Sequence, residues 1–358
     1  MSSNYGNKIK FQYFGQSHSD SIGVVIDGLP AGKKIDLDKI NEFMSRRAPG
    51  FDQLSTPRKE TDSFNIVSGL FNDKTCGAPL CAIIGNTNIR SSDYTDIKSK
   101  PRPSHADYTA FVKYNGFNDI NGGGHFSGRL TAPLCFAGAV ALQFLEDCGI
   151  SVLSHIYSIG KIFDDKFNYT EFEKDIIIKL KNNRFPVIND DISGKMQNLI
   201  LEAKQEGDSV GGIIECAVLG LKAGVGDPIY RGIESCLAEV IFGIPAVKGL
   251  EFGNGFEAAF INGSENNDAF YYDKNKQVKT KTNNSGGING GISNGMPIIF
   301  RTAVKPTPSI GKEQNTINLT TQEDDTLIIN GRHDPCIVAR ACSVIEAAAA
   351  TVILDLII

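Results

Sequence analysis

Gly122-Gly123-Gly124-His125-Phe126-Ser127-Gly128-Arg129-Leu130-Thr131 runs directly into Ala132-Pro133-Leu134-Cys135-Phe136-Ala137-Gly138-Ala139-Val140-Ala141-Leu142-Gln143-Phe144-Leu145-Glu146-Asp147. From about Ser127 to Asp147 the pattern predicts a helix with almost no charge beyond Arg129 at its start. A helix that is apolar all round is buried on every side. Other elements must therefore wrap it, and the residues on either side supply them. Residues 8 to 28 alternate and end in the turn Asp27-Gly28-Leu29-Pro30, which predicts strand, loop, strand. Asp36 caps a helix through Arg46, with Leu37, Ile40, Phe43 and Met44 at helical spacing. Strands are expected near 64 to 70 and 79 to 85.

Downstream, two amphipathic helices are expected near 170 to 183 and 193 to 205, a strand over 211 to 221 and a helix over 231 to 242. Residues 265 to 285, rich in Asn, Asp and Lys, read as a mobile surface loop. A strand over 297 to 304 ends in Lys305-Pro306-Thr307-Pro308-Ser309, and a last helix starts near Pro335. No linker divides the chain. The expectation is one continuous α+β unit over residues 1 to 358.

The bulk properties narrow the function. The chain has 358 residues, 41% hydrophobic and 22% charged, with a net charge of −5. That balance argues against a general nucleic-acid binder, which needs a basic face. An anionic ligand must then be held by cations concentrated in one place. The eight cysteines form no CxxC pair or zinc spacing, so no metal site is expected. Buried free thiols in a reducing cytosol are the expected state. The apolar stretch from Cys336 to Ile358 is about one membrane span long. It carries Arg340, Glu346 and Asp355, each costly at a bilayer centre, so a buried helix is expected. The N-terminus lacks the apolar core of a signal peptide. A soluble, cytoplasmic protein without membrane association is the expectation.

Residues 86 to 124 are loop-rich, and a stretch of that length is commonly functional. Five histidines exist. His155 has the pattern of a strand residue. His18, in Gly15-Gln16-Ser17-His18-Ser19, His105, in Arg102-Pro103-Ser104-His105-Ala106-Asp107, and His333, in Gly331-Arg332-His333-Asp334-Pro335, lie in loop-like surroundings. Arginines cluster with them: Arg46, Arg47, Arg58, Arg102, Arg129 and Arg332. A guanidinium grips carboxylate or phosphate with two parallel hydrogen bonds. Arg129 follows the triple glycine at a helix start, a natural anion site. These residues suggest a pocket for a small polyanion, with histidines able to exchange protons near neutral pH. The Gly286 to Gly295 run fits neither a Walker A loop nor a GxGxxG turn, and it serves close ligand approach or tight turns equally well.

Taken together these segments resemble the chorismate synthase family over nearly the whole chain. The resemblance is carried by Gly15 to His18 with Asp27 to Pro30, by Gly122 to Thr131, and by Gly331 to Pro335 with Glu346-Ala347. Thr56 to Glu60, Arg102 to Thr109, Ala246 to Gly249 and Gly290 to Gly295 extend it. It implies a layer of helices between antiparallel sheets, assembled as a homotetramer. It also implies a reaction: 5-enolpyruvylshikimate 3-phosphate loses its 3-phosphate and a C6 hydrogen in an anti-1,4-elimination, giving chorismate. Reduced flavin mononucleotide (FMN) is needed without net redox, and NADPH would serve only to reduce the flavin.

The resemblance assigns roles. His18 faces the leaving phosphate with Ser17 beside it, His105 lies near flavin N1 and the C2 carbonyl, and Asp334 near N5. Arg47, Arg102, Arg129 and Arg332 surround the anions, with Ser127 in substrate contact. Arg47, His125, Phe126, Ser127, Pro245, Ala246, Gly290, Lys305, Pro306, Thr307, Pro308, Ser309 and Arg332 correspond to flavin-contacting positions. Some positions depart from the family pattern. His125-Phe126 replaces Arg-Ser, Gln53 replaces an arginine, Gln16 a Glu and Ser104 a Gly. Gln53 and the lack of an extra domain favour an enzyme that does not reduce its own flavin. A flavin reductase and a non-catalytic anion-binding module are the competing readings. Neither explains why the acid, base and anion-binding positions occur together.

Overall fold

A computed structural model of the chain describes residues 3–50, 54–55, 60–86, 99–329 and 334–358. Two five-stranded antiparallel sheets face each other across a layer of helices. The first sheet orders its strands Asn4–Tyr5, Lys10–Gly15, Ser21–Asp27, Leu80–Gly85 and Phe64–Ser68. The second orders them Val247–Phe252, Ile298–Val304, Gly212–Leu219, Ser151–Ile159 and Ile162–Phe163. Between them lie the helices Thr131–Asp147 and Val338–Ile357, with Leu37–Arg47 packed on both. Thr131–Asp147 touches both sheets, so it is buried on all sides, as its composition requires. Gly128–Asp147 is long and apolar enough to cross a membrane, yet 83% of that window is buried within the fold.

The two central helices approach closely because Gly138 faces Ala347. A Cβ on Gly138 would strike the Ala347 backbone. The last helix also anchors the N-terminus. Asp355, 2% exposed, accepts hydrogen bonds from the backbone N–H groups of Asn7, Lys8 and Ile9 at 2.7–3.0 Å. This charge sits inside a protein core because those N–H groups satisfy it.

Most expected elements form. Asp36 caps Leu37–Arg47 by accepting from the Asp38 and Lys39 amides. The amphipathic helices are Lys174–Asn182 and Asp190–Gln205, and His155 is a buried strand residue. Three expectations differ. Residues 86 to 124 contain a short helix, Asp107–Lys113. Residues 265 to 285 contain a hairpin, Phe270–Tyr272 paired with Val278–Thr280, rather than a bare loop. Its alternation was masked by the polar residues of the turn between the strands. The last helix begins at Val338, after Pro335. The eight cysteines are free thiols, and five are buried while Cys76 and Cys148 are exposed.

Candidate active site

The loop between strands Lys10–Gly15 and Ser21–Asp27 carries Ser17 and His18. It is pinned to the glycine turn by a hydrogen bond from the Ser17 amide to the Gly124 carbonyl, 3.0 Å. Gly122, Gly123 and Gly124 all have positive φ, at 60°, 85° and 54°. Side chains there would be strained and would also collide. A Cβ on Gly122 would strike the His18 ring and Ser17 Oγ, and one on Gly123 would press on the His105 ring at 3.2 Å. The triple glycine therefore lets two histidines from distant segments close on one turn.

His105 precedes the Asp107–Lys113 helix, and Asp107 binds both of its neighbours. Arg102 donates to Asp107 through its backbone N–H, Nε and Nη2 at 3.0, 2.7 and 2.8 Å. His105 Nδ1 lies 2.6 Å from Asp107 Oδ1. Burial pushes the Asp107 carboxyl up, but its hydrogen bonds to Arg102 and His105 outweigh this and hold it well below the usual range.

A second buried carboxylate organises the other arginines. Arg47, 2% exposed, donates from Nε to Asp62 at 2.7 Å and from Nη1 to Thr131 Oγ1 at 3.1 Å. Arg129 reaches the same Asp62 through Nη1, donates to Asn86 Oδ1 at 2.9 Å, and lies 3.3 Å from Glu60. Burial raises the Asp62 carboxyl, yet the two guanidiniums pull it below its ordinary value. Arg46 turns the other way, to Glu346.

The opposite wall comes from the second sheet and the last helix. Lys305 N donates to the Ala246 carbonyl at 2.9 Å, and Thr307 Oγ1 to the Asp334 carbonyl at 2.8 Å. Ser309 Oγ accepts from Arg102 Nη1 at 3.2 Å, joining the two walls. Arg340 donates to both Asp334 carboxylate oxygens at 3.1 Å and to the Arg47 carbonyl at 2.8 Å. Lys305 and Lys248 have no ion pair among the described residues, and desolvation together with Lys248 lowers the Lys305 ammonium.

These walls enclose a cleft of about 750 Å³, within the range of cofactor sites. It is lined by His18, Arg47, Arg102, His105, His125, Phe126, Ser127, Arg129, Pro245, Ala246, Lys305, Thr307, Pro308, Ser309 and Asp334, all expected from the sequence. Ser17 sits just behind, fully buried, its Oγ without a hydrogen-bond partner among the described residues. Pro306 and Gly290 do not line this cleft. Gly290 is exposed between the short strands Ile288–Asn289 and Ile292–Ser293. Arg332 and Gln53 lie outside the described residues. The rings of His125 and Phe126 lie 4.2 Å apart, tilted by 31°, on the cleft wall. Among the described residues no group of acidic, His and Cys side chains could hold a metal ion.

Sequence reasoning did not single out Asp62, Asp107, Lys248 or Arg340. Asp107 was visible two residues after His105. Arg340 was visible as a cation in an apolar helix. Nothing local marked Asp62 as the partner of two arginines.

Each described arginine lining the cleft thus has a resident carboxylate, and the surplus positive charge rests on Lys248 and Lys305. Oriented cations, two histidines and an apolar aromatic wall suit an enzyme acting on a small polyanion. The comparisons make this specific. The family model described as chorismate synthase matches residues 9–358. The chorismate synthase of Dehalococcoides mccartyi is 47% identical over 356 residues, covering 99% of this chain and 96% of the relative. That of Methanocaldococcus jannaschii is 44% identical, with 99% and 96% covered. A crystal structure of chorismate synthase superimposes with a TM-score of 0.77 at 28% identity, covering 98% of this chain and 92% of that one. The chain belongs to the chorismate synthase family. It is a lyase that eliminates phosphate from 5-enolpyruvylshikimate 3-phosphate to give chorismate. The family implies a flavin cofactor.

Proposed function

We propose that the cleft binds reduced FMN and 5-enolpyruvylshikimate 3-phosphate together, with His18 and His105 as its acid–base pair. The observation that carries this reading is the packing of both histidines against consecutive glycines, Gly122 and Gly123. The residues present fit such a cofactor. The lysines Lys248 and Lys305 suit a phosphate, the apolar wall of Phe126, Ile244 and Pro245 suits a ring system, and the orphaned Ser17 Oγ awaits a partner. When bound, reduced flavin supplies an electron that loosens the C–O bond and is regained as the elimination ends.

The chain's own residues do the rest. Arg47 and Arg129, held by Asp62, present a fixed positive edge to the substrate's anionic groups. His18 as imidazolium stabilises charge on the departing phosphate oxygen and donates its proton there. Ser17 hydrogen-bonds beside it, and Ser127 contacts the substrate. His105 would set positive charge beside the bound flavin. Asp334, oriented by Arg340, accepts the proton released in the elimination.

The chain acts as one domain over residues 1 to 358, supported by a continuous core from Ile9 to Leu354. It assembles as a homotetramer. Exposed apolar residues on the outer face of the first sheet, Phe14 and Val67, and on the Phe256 to Tyr272 segment support this. NADPH serves only as an external flavin reductant. The protein works in the cytoplasm, without nucleic acid or membrane. Anaerobic mixing with chemically reduced FMN and 5-enolpyruvylshikimate 3-phosphate tests the reading. Phosphate and chorismate should appear in equal amounts, and oxidised FMN with NADPH should yield neither. Release of neither product with reduced FMN would sink it.

A further inference from the structure

Among the described residues, Asp107 is unusual in that both its oxygens are taken by groups whose protonation is fixed or can be deduced. Oδ2 accepts from Arg102 N–H and Nε, at 3.0 and 2.7 Å. Oδ1 accepts from Arg102 Nη2 at 2.8 Å and lies 2.6 Å from His105 Nδ1. A guanidinium only donates, and an ionised carboxylate only accepts. Asp107 is held ionised by these contacts. If Nδ1 carried a lone pair, it would face a carboxylate oxygen at 2.6 Å, a repulsive contact far inside van der Waals range. The competing contact, Arg102 Nη2 to Nδ1, is longer at 3.0 Å. The shorter contact decides the tautomer.

We propose that Asp107 is a positioning residue for the lyase reaction, fixing His105 with its proton on Nδ1 and leaving Nε2 as the ring nitrogen that exchanges protons at the cleft. Nε2 lies on the Gly123 side of the ring, in the gap that the missing Cβ leaves open. His105 lines the cleft with its side chain 16% exposed, while Asp107, at 7%, is shielded behind it. The Arg102–Asp107 pair thus acts through His105, much as a buried carboxylate orients the other ring nitrogen of a metal-bound or catalytic histidine. This rests on the proposed acid–base role of His105, but the tautomer itself does not.

Asp107→Asn makes the inference testable, because an amide has one oxygen. Two Arg102 N–H donors meet at the Oδ2 position and only one, Nη2, meets Oδ1 beside the ring, so the amide oxygen takes the Oδ2 position. The amide nitrogen then faces His105 Nδ1 and donates to it, which forces the ring proton onto Nε2. The experiment is ring-nitrogen NMR on ligand-free full-length protein with nitrogen-labelled histidine, His105→Gln assigning the signal. The wild type should show His105 protonated on Nδ1, and Asp107→Asn should show it protonated on Nε2. Turnover with reduced FMN should fall roughly 100-fold, while the KM for substrate changes less than about threefold. A wild-type His105 protonated on Nε2 alone overturns the proposal. So does an Asp107→Asn protein whose His105 keeps its Nδ1 proton and whose turnover is normal. If the variant fails to fold, the wild-type spectrum alone decides. Near-normal turnover of His105→Ala would instead defeat the acid–base role and leave the tautomer standing.

Discussion

Arg46 donates two parallel hydrogen bonds to Glu346, Nη1 to Oε2 at 2.7 Å and Nη2 to Oε1 at 2.8 Å. Glu346, 2% exposed, also accepts from the Ser154 amide at 3.0 Å and Ser154 Oγ at 2.8 Å. One carboxylate therefore ties the Leu37–Arg47 helix, the last helix and the second sheet together. The adjoining Arg47 points into the cleft, so this strut also fixes the helix that presents it. Removing one partner of a buried pair leaves the other uncompensated. Glu346→Ala should therefore cost about 3–5 kcal/mol by urea unfolding. A loss below about 1 kcal/mol would show that the strut is dispensable.

Gly138 predicts a second stability effect. Its missing side chain is what lets the two central helices touch at Ala347. Gly138→Val must push backbone against backbone, and overpacking costs about 1–3 kcal/mol. A melting temperature equal to that of the wild type would contradict the close approach.

His18→Ala and His105→Ala test the acid–base pair. Each should lower turnover by roughly 100-fold or more, with bound reduced flavin retained. Anaerobic single-turnover kinetics, following phosphate and chorismate, separates loss of chemistry from loss of binding. Near-normal rates in both variants would remove the histidines from the mechanism.

Lys248 and Lys305 carry the cleft's surplus charge, so they should set cofactor affinity more than chemistry. Lys248→Ala should weaken FMN binding roughly 10- to 150-fold, as loss of a charge-assisted hydrogen bond of about 1.5–3 kcal/mol implies. Flavin titration by fluorescence at two salt concentrations measures it. Unchanged affinity and unchanged salt dependence would place the cofactor phosphate elsewhere.

A row of alternating charge crosses the outer face of the second sheet. Registered pairs place Glu251 beside Arg301, Arg301 beside Glu215 and Glu215 beside His155. His155, fully buried, lies 3.1 Å from both Asp164 and Glu215, with Phe167, Tyr157 and the Glu215-bound Tyr169 around it. Desolvation lowers the His155 imidazole, but its bonds to the two carboxylates outweigh that and raise it. Its folded-state value therefore exceeds the unfolded value of about 6.5. The linked stability is full below about pH 6.5 and disappears as pH climbs through the raised value. Asp164 is shifted down despite burial, so its contribution is lost only as pH falls below the ordinary carboxylate range. Melting temperature should thus fall from neutral towards alkaline pH in the wild type, and much less in His155→Gln. Parallel profiles would rule His155 out as the cause.

How much of this was legible in advance depended on range. The Asp36 cap, the alternation over residues 10 to 27 and the apolar Thr131–Asp147 helix were readable because each involves neighbours a few residues apart. The hairpin over 270 to 280 and the Asp107–Lys113 helix were hidden because the segments are short and sit among polar loop residues. The histidines and arginines of the cleft could be named one by one. Asp62 could not, since nothing near it in the chain indicates that Arg47 and Arg129 meet there.

By itself, the sequence determined a layered α+β protein with a buried central helix, and which residue types it has available for chemistry. Hydrophobic periodicity and capping act locally, so they are written along the chain. Only the tertiary structure decided which charges neutralise one another: Asp62 between two arginines, Asp107 between Arg102 and His105, and two lysines left over. Coulombic and hydrogen-bond energies depend on distance in space, and folding sets those distances.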